Sequence, residues 1–177
     1  KLAAENPRQV LLTSPVLSQR KLRQLLAPPQ FANAQCFVDL YYGENEGLEA
    51  ALHRICIEAT SAVRAGARLV FLSDRYPPQQ ADKLPLHALL ATGAIHQALV
   101  AAQLRCDCNL LVETGTARDA HHFACLIGFG ASAVYPYLAY QTLFDLGRHA
   151  RMGERSGEPR EVGRTYRKGI RRGLRKT

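Results

Sequence analysis

Residues 108–123, CNLLVETGTARDAHHF, change from one kind of pattern to another. The first six are a near-continuous apolar run, typical of a strand that is covered on both faces. Thr116, with Asp119 three residues later, forms a variant of the capping box that starts a helix. The stretch therefore predicts a buried strand that leads directly into a helix.

The same succession recurs on both sides of this stretch. Aromatic, branched and apolar runs predict three more strands, at residues 36–42, 68–74 and 131–135. Before the first of them, Ser18 is expected to cap a short helix that places Leu22, Leu25 and Leu26 on one face and ends at Pro28 and Pro29.

Helices are predicted between and after these strands. One follows a cap at Asn45 and ends at Gly66, and the next opens with Pro85 in its first turn. The helix that starts at Thr116 ends at Gly128 and Gly130, and a closing helix covers residues 138–146.

This order predicts an α/β fold with a parallel sheet of about four strands in βα repeats flanked by helices. A half-barrel and an open doubly wound sheet both satisfy the pattern.

Composition narrows the class of protein. A chain of 177 residues with 47% hydrophobic content suits one globular domain. No window offers eighteen uncharged apolar residues, and the N-terminus lacks the order of a signal peptide. Five scattered cysteines indicate reduced thiols, so we expect a soluble, cytoplasmic protein with no membrane contact.

The net charge of +8 is concentrated at one end of the chain. Residues 148–177 contain 11 Lys and Arg against three Asp and Glu, so the first 147 residues are neutral. We therefore expect an α/β unit at residues 1–147 and a basic linker or tail at residues 148–177. Such a tail could bind phosphates. We favour a solvated or frayed terminus without nucleic acid, because Gly169 and Gly173 weaken a helix.

Polar residues collect where the predicted strands end, the edge at which parallel sheets bind ligands. These candidate residues are Asp74, Arg75, Glu113, Thr114, Gly115 and Thr116. Each also has a structural interpretation, in which Gly115 eases a tight turn, Thr116 caps the helix and Glu113 pairs with Arg118. We favour the structural roles, because capping boxes recur wherever helices start.

The histidine pair His121 and His122 does not indicate a metal site, because adjacent helical residues point about 100° apart. Cys125 lies one helical turn further on, where burial would make its thiol inert. Cys106 and Cys108 lack the CxxC spacing of a zinc site. The sequence predicts no catalytic residue, no metal ligand and no bound cofactor.

Several blocks along the chain resemble the large chain of bacterial glutamate synthase, in the later part of its central domain. They are residues 14–17, 72–75, 112–118, 121–124, 128–131, 136–139 and 166–168, with Val134 and the pair Gly173-Leu174. One departure is His96-Gln97-Ala98-Leu99, which stands where that family often has a histidine-rich run.

The resemblance implies an enzyme that hydrolyses glutamine at an N-terminal cysteine and carries ammonia through a tunnel to 2-oxoglutarate. There an imine is reduced by FMN to give glutamate. Electrons reach FMN through iron–sulfur clusters from NADPH, our favoured donor, or from ferredoxin, and FAD belongs to a small partner subunit.

In that family the central domain joins the amidotransferase to the FMN barrel. We therefore expect a fragment that binds no cofactor and has no activity alone, with the amidotransferase domain, the FMN domain and the small subunit as its partners. The candidate edge residues, together with His121 and His122, would contact neighbouring domains or the tunnel. The alternatives are a stand-alone α/β enzyme with a small-molecule site at the strand ends, and a nucleic-acid binder that uses the basic tail.

Overall fold

The computed structural model describes residues 12–75, 82–150 and 159–176. Its strands are β1 (Gln35–Asp39), β2 (Tyr41–Gly43), β3 (Leu69–Ser73), β4 (Lys83–Pro85), β5 (Asn109–Glu113) and β6 (Ala133–Tyr135). Its helices are α1 (Gln19–Leu26), α2 (Pro29–Ala32), α3 (Leu48–Arg64), α4 (Ala88–Ala101), α5 (Ala120–Gly128), α6 (Tyr137–Ala150) and α7 (Pro159–Leu174), with a 3-10 turn at Arg105–Asp107.

The central sheet has four parallel strands in the order β1-β3-β5-β6, which confirms the predicted α/β class. Neighbours in space are successive along the chain, with no reversal of direction. Because crossovers between parallel strands are right-handed, this order places α3, α4 and α5 on one face. The strand order does not reverse as in a doubly wound sheet, yet α1 and α6 cover the opposite face, so the sheet lies between two helical layers.

Both faces of the sheet are covered. On one face, Val70, Leu110 and Val112 pack with Ile55 of α3 and Phe123 of α5. On the other face, a second cluster joins the strands to α1 and α6, with Leu22, Leu25, Phe71, Leu111 and Tyr140 among its members. This burial on both sides explains why β3 and β5 have apolar runs without alternation.

The N-terminal part of the described chain extends the sheet beyond β6. Val134 donates a backbone hydrogen bond to the Pro15 carbonyl at 2.8 Å, and Leu17 donates one to the Val134 carbonyl at 2.9 Å. Ser18 then caps α1 by accepting a hydrogen bond from the Lys21 N–H at 3.3 Å, as predicted.

The single strand predicted at residues 36–42 is wrong, because the chain divides it between two sheets. β1 ends at Asp39, and β2 pairs with β4 in an antiparallel ribbon. Leu40 lies at the division: its N–H bonds to the Ser73 carbonyl and its carbonyl accepts from the Leu86 N–H, both at 2.8 Å. Its side chain is fully buried, which fixes the change of direction.

Two predicted helix starts are also wrong. α3 has Gly47 at its N-cap, with φ of 72° and no side-chain hydrogen bond, and not Asn45. Pro85 lies in β4, and α4 begins at Ala88 after His87, whose side chain accepts from the Leu89 N–H at 3.3 Å.

A third start and one helix end differ as well. α5 begins at Ala120, and its cap is Asp119, which accepts from the His122 N–H at 3.1 Å; Thr116 lies in the preceding turn. The closing helix predicted for residues 138–146 runs from Tyr137 to Ala150, through Gly147. A glycine inside a helix costs only about 1 kcal/mol, too little to end it.

Gly130, by contrast, has the expected role after α5. Its φ is 112°, and a Cβ there would lie 2.4 Å from His96 Nδ1. Any side chain at this position would clash with α4, so the turn from α5 into β6 requires glycine.

The favoured interpretation of the basic tail as a solvated or frayed terminus is wrong. α7 packs on α5: Ile170 is buried, and the Tyr166 hydroxyl donates to the Arg118 carbonyl at 2.8 Å. Tertiary packing of one helix face outweighs the weak helix propensity of Gly169 and Gly173. The boundary between residues 147 and 148, and a linker role for the segment after it, remain predictions.

Candidate functional site

The polar residues predicted at the strand ends meet at one edge of the sheet. β3 and β5 are neighbours in register, with Ser73 opposite Glu113. The next residues, Asp74 and Thr114, therefore leave the sheet side by side. We call Ser73, Asp74, Arg75, Glu113, Thr114 and Gly115 the edge cluster.

Asp74 is a buried carboxylate of the edge cluster, with 7% of its surface exposed. The Thr114 hydroxyl donates to its Oδ2, and the Gly115 N–H donates to its Oδ1 at 2.9 Å. Burial raises the pKa of Asp74, although these hydrogen bonds act in the opposite direction. Both carboxylate oxygens thus serve to hold the loop after β5.

Two tyrosines that the sequence analysis did not select close the same edge. The hydroxyls of Tyr41 and Tyr137 both donate to the Asp74 carbonyl, the latter at 3.3 Å. Burial, followed by the negative charge of Asp74, raises the pKa of Tyr137 to about 12. Tyr137 comes two residues after β6, so the order of the strands could have placed it here. Tyr41 lies in the second sheet, which the sequence did not reveal.

Glu113 is equally buried and is held by two neighbours. The Ser73 hydroxyl donates to its Oε2 at 2.7 Å, and Arg75 Nη1 lies 3.4 Å from its Oε1. The partner of Glu113 is therefore Arg75 and not the predicted Arg118. The Arg75 guanidinium also lies 5.5 Å from the ring centre of Tyr137.

Gly115 and Thr116 complete the turn that follows β5. A Cβ on Gly115 would lie 3.0 Å from the Tyr137 hydroxyl, a tight contact that favours glycine at this position. The Thr116 N–H donates to Thr114 Oγ1 at 3.0 Å, and the two hydroxyls are 2.9 Å apart. Thr116 thus reinforces the turn and does not cap α5.

The histidine pair makes its contacts within α5 and the residue before its cap. His122 Nδ1 accepts from the Arg118 N–H at 3.3 Å and lies 3.5 Å from Asp119 Oδ1. His121 Nε2 lies 3.6 Å from Cys125 Sγ. None of these contacts links His121 or His122 to the edge cluster. Within residues 12–75, 82–150 and 159–176, no group of three or more His, Cys, Asp or Glu could hold a metal ion.

The chemistry of the edge cluster is dominated by internal hydrogen bonds. In the part of the chain that the structure describes, every buried side-chain nitrogen or oxygen has a hydrogen-bond partner. The outward side consists of Arg75, whose side chain is 55% exposed, and Thr116. The arrangement locks two loops together and leaves one cation at the surface.

Comparison with known proteins identifies the family. Residues 1–177 match the model of the glutamate synthase central domain. The chain belongs to this family. A ferredoxin-dependent glutamate synthase 1 of Arabidopsis thaliana is 38% identical over 144 residues, which is 80% of this chain and 9% of that protein.

Two further relatives of this glutamate synthase domain come from other groups of organisms. The glutamate synthase [NADPH] large chain of Bacillus subtilis is 37% identical over 77% of the chain, and the glutamate synthase [NADH] of Schizosaccharomyces pombe is 41% identical over 65%. The chain spans 9% and 6% of their lengths. The resemblance seen in the sequence is thereby confirmed.

One further observation concerns membranes. None of the helices in the three described ranges is long and apolar enough to cross a bilayer.

Proposed function

We propose that this chain is a linking domain within the large chain of a glutamate synthase, which forms L-glutamate from L-glutamine and 2-oxoglutarate. The observation that carries this proposal is the family match over residues 1–177. The edge cluster supports a role without chemistry, because its two buried carboxylates already bind donors of their own fold. The domain has no activity alone and acts by holding its neighbours in place.

The cofactors of the parent enzyme are proposed to lie outside this chain. They are FMN, iron–sulfur clusters and NADPH, with FAD on the small subunit. An iron–sulfur cluster needs four cysteine thiolates, whereas the described residues contain no group of that kind, and burial raises the pKa of the Cys36, Cys56 and Cys108 thiols.

A flavin phosphate is also a poor fit at the edge where parallel sheets usually bind one. Asp74 and Glu113 place two carboxylates there, which would repel a phosphate. No catalytic step is therefore assigned to residues of this domain.

Among possible electron donors we propose NADPH. With this donor, a small subunit is the expected partner of the parent chain. The relative from Bacillus subtilis, whose name includes NADPH, aligns with 77% of the chain. Oxidation of NADPH by the purified parent enzyme, coupled to glutamate formation, tests this donor; activity with reduced ferredoxin alone would exclude it. A cytoplasmic location belongs to the same proposal.

We further propose that Glu113, Thr114 and the neighbouring His121 and His122 help to shape the ammonia tunnel. Their position beside the carboxyl ends of the strands supports this role, since that edge of a parallel sheet is where such folds place their sites. In the parent enzyme, Glu113→Gln and His121→Ala should lower the glutamate formed per glutamine hydrolysed. Glu49→Gln, an exposed change on α3, is the control. Unchanged coupling in both variants would remove the tunnel role.

The reading frame that contains residues 1–177 tests the linking role itself. It should encode an amidotransferase before this segment and a flavin-binding barrel after it. A stand-alone enzyme would instead bind its metabolite at the edge cluster and resist thermal unfolding in its presence. A thermal-shift screen of metabolites on this chain separates the two functions.

A further inference from the structure

The strongest unassigned feature of the molecule is a basic groove beside α7, whose lining contains no residue of the edge cluster. It has a volume of about 730 Å³ and lies between α7 and residues 13–16. Seven cations line it: Lys21 of α1 and the six Arg and Lys side chains between Arg164 and Arg175. We call this feature the basic groove.

The cations of the basic groove have no acidic partner in the described structure. Its lining contains no Asp or Glu, and the ion pairs formed within residues 12–75, 82–150 and 159–176 all lie elsewhere. α7 contains a single acidic residue, Glu161, in its first turn. Seven like charges so close together repel one another, and an anionic partner would relieve that repulsion.

The groove also has an apolar floor. Val16 belongs to its lining, and an adjoining cleft of about 510 Å³ shares Arg171 and Arg175 with it. That cleft adds Pro15, Ile127 and Leu174. An occupant that fits both parts must therefore offer negative charge and aliphatic side chains together.

These two requirements favour a polypeptide over a nucleic acid. A phosphate backbone would use the cations but not the apolar floor, and single-stranded binding relies on aromatic rings on which bases stack. Neither the groove nor the cleft has an aromatic residue in its described lining. Tyr140 and Phe144, in a neighbouring cavity, stack on each other at 6.0 Å between ring centres.

The spacing of the cations fits an extended or helical segment of modest length. Arg164, Lys168 and Arg171 recur at intervals of three and four along one face of α7, and Arg175 continues the row in the turn after the helix. At about 1.5 Å per helical residue this row is about 16 Å long, which about five residues of extended chain would cover.

We propose that the basic groove docks an acidic segment of the parent large chain, outside residues 1–177, in which Asp and Glu alternate with aliphatic residues. This proposal depends on the proposed function as a linking domain. The chain spans 9% of the relatives from Arabidopsis thaliana and Bacillus subtilis, so most of such a polypeptide lies outside it. Within that polypeptide, the cations of the groove favour a segment with Asp and Glu, and the apolar floor favours one that also has aliphatic residues.

Carbodiimide cross-linking of the full-length parent chain tests the proposal. The reagent condenses a lysine amine with a carboxylate, with loss of water, only where the two are in contact. Lys21 and Lys168 should form cross-links to Asp or Glu outside residues 1–177, as identified by mass spectrometry. The yield should fall in 1 M salt, where the Debye length is about 3 Å.

A pair of matched variants makes the test specific. Arg171→Glu with Arg175→Glu should abolish these cross-links while both reporter lysines remain. Arg64→Glu with Arg68→Glu, two exposed cations outside the groove, should leave them unchanged. If the first double variant does not fold, Arg171→Gln with Arg175→Gln replaces it.

Other outcomes contradict the docking proposal. These are cross-links confined to residues 1–177, cross-links to a different polypeptide, or equal yields in the two variants. Retardation of RNA or DNA by the wild-type chain that the groove variant loses would assign the groove to nucleic acid instead. A reading frame without the flanking domains would refute the proposed function itself, independently of the groove.

Discussion

Thr114 donates its hydroxyl hydrogen bond to Asp74, forty residues earlier in the chain, and so ties together the loops after β3 and β5. With the Gly115 N–H on the other oxygen, a single carboxylate fixes the carboxyl edge of the sheet. Because both oxygens of Asp74 already accept hydrogen bonds from the protein itself, the polar groups at this edge stabilise the fold.

Asp74→Asn should destabilise the domain by about 1–3 kcal/mol, because the amide group offers one acceptor where the carboxylate offers two. Urea unfolding of the variant and the wild type measures the difference. Asp39→Asn, at the end of the neighbouring β1 and exposed, is the control and should change the free energy of unfolding little. Equal stability of Asp74→Asn and wild type would show that the edge cluster is not a structural clasp.

The same residue gives a prediction for pH. Burial raises the pKa of Asp74 above its ordinary value of 3.8, so the folded state binds this proton more tightly than the unfolded state. The stability contributed by Asp74 is complete below the ordinary pKa and is lost as the pH rises through the raised one. The stability advantage of wild type over Asp74→Asn should therefore shrink as the pH rises from 3.8 and then level off. If the stability advantage of wild type instead grows as the pH rises, the pKa of Asp74 is lowered in the folded state and this prediction is wrong.

Ser73 and Arg75 should contribute unequally although both contact Glu113. Arg75 is 55% exposed, and exposed ion pairs contribute little, so Arg75→Gln should cost less than about 1 kcal/mol. Ser73→Ala removes the short hydrogen bond to a buried carboxylate and should cost about 1–3 kcal/mol. Chemical denaturation ranks the two variants, and a larger effect from Arg75→Gln would contradict this account of the site.

Two glycines of α7 should respond to alanine in opposite directions. A Cβ on Gly173 would lie 2.3 Å from the Ala120 Cβ, so Gly173→Ala should cost about 1–3 kcal/mol by forcing α7 away from α5. At Gly169 nothing lies within 4 Å, and Gly169→Ala should stabilise by about 0.5–1 kcal/mol through helix propensity. Thermal unfolding measures both.

Ala120→Gly should restore much of the loss in Gly173→Ala, because it removes the atom that the new methyl group meets. The double variant thus separates a steric contact from a general intolerance of change. If Gly173→Ala is as stable as Gly169→Ala, α7 does not pack on α5 as described.

The sequence predicted the sheet well because buried parallel strands have a pattern that depends on few other residues. Leu69–Ser73 and Asn109–Glu113 are covered on both faces, and their apolar runs follow directly from that burial. The edge cluster could be predicted for the same reason, since parallel strands end at a common edge.

The wrong predictions concern residues whose structure is determined by tertiary contacts and not by the local sequence. Leu40 divides its backbone hydrogen bonds between two sheets, which no local pattern shows. α7 was missed because its glycines suggested fraying, whereas its stability comes from Ile170 and from the close contact of Gly173 with Ala120. Arg75 and not Arg118 pairs with Glu113, because adjacent strands bring residues 75 and 113 together.

If the chemistry of the parent enzyme resides outside this domain, as proposed, the isolated domain should bind neither FMN nor NADPH. Titration of the purified chain of residues 1–177 with FMN, followed by flavin fluorescence and repeated with NADPH, measures this binding. We expect a linear signal with no saturation for either molecule. Saturable binding at one equivalent, lost in Glu113→Gln or Thr114→Val, would instead show a cofactor site at the edge cluster.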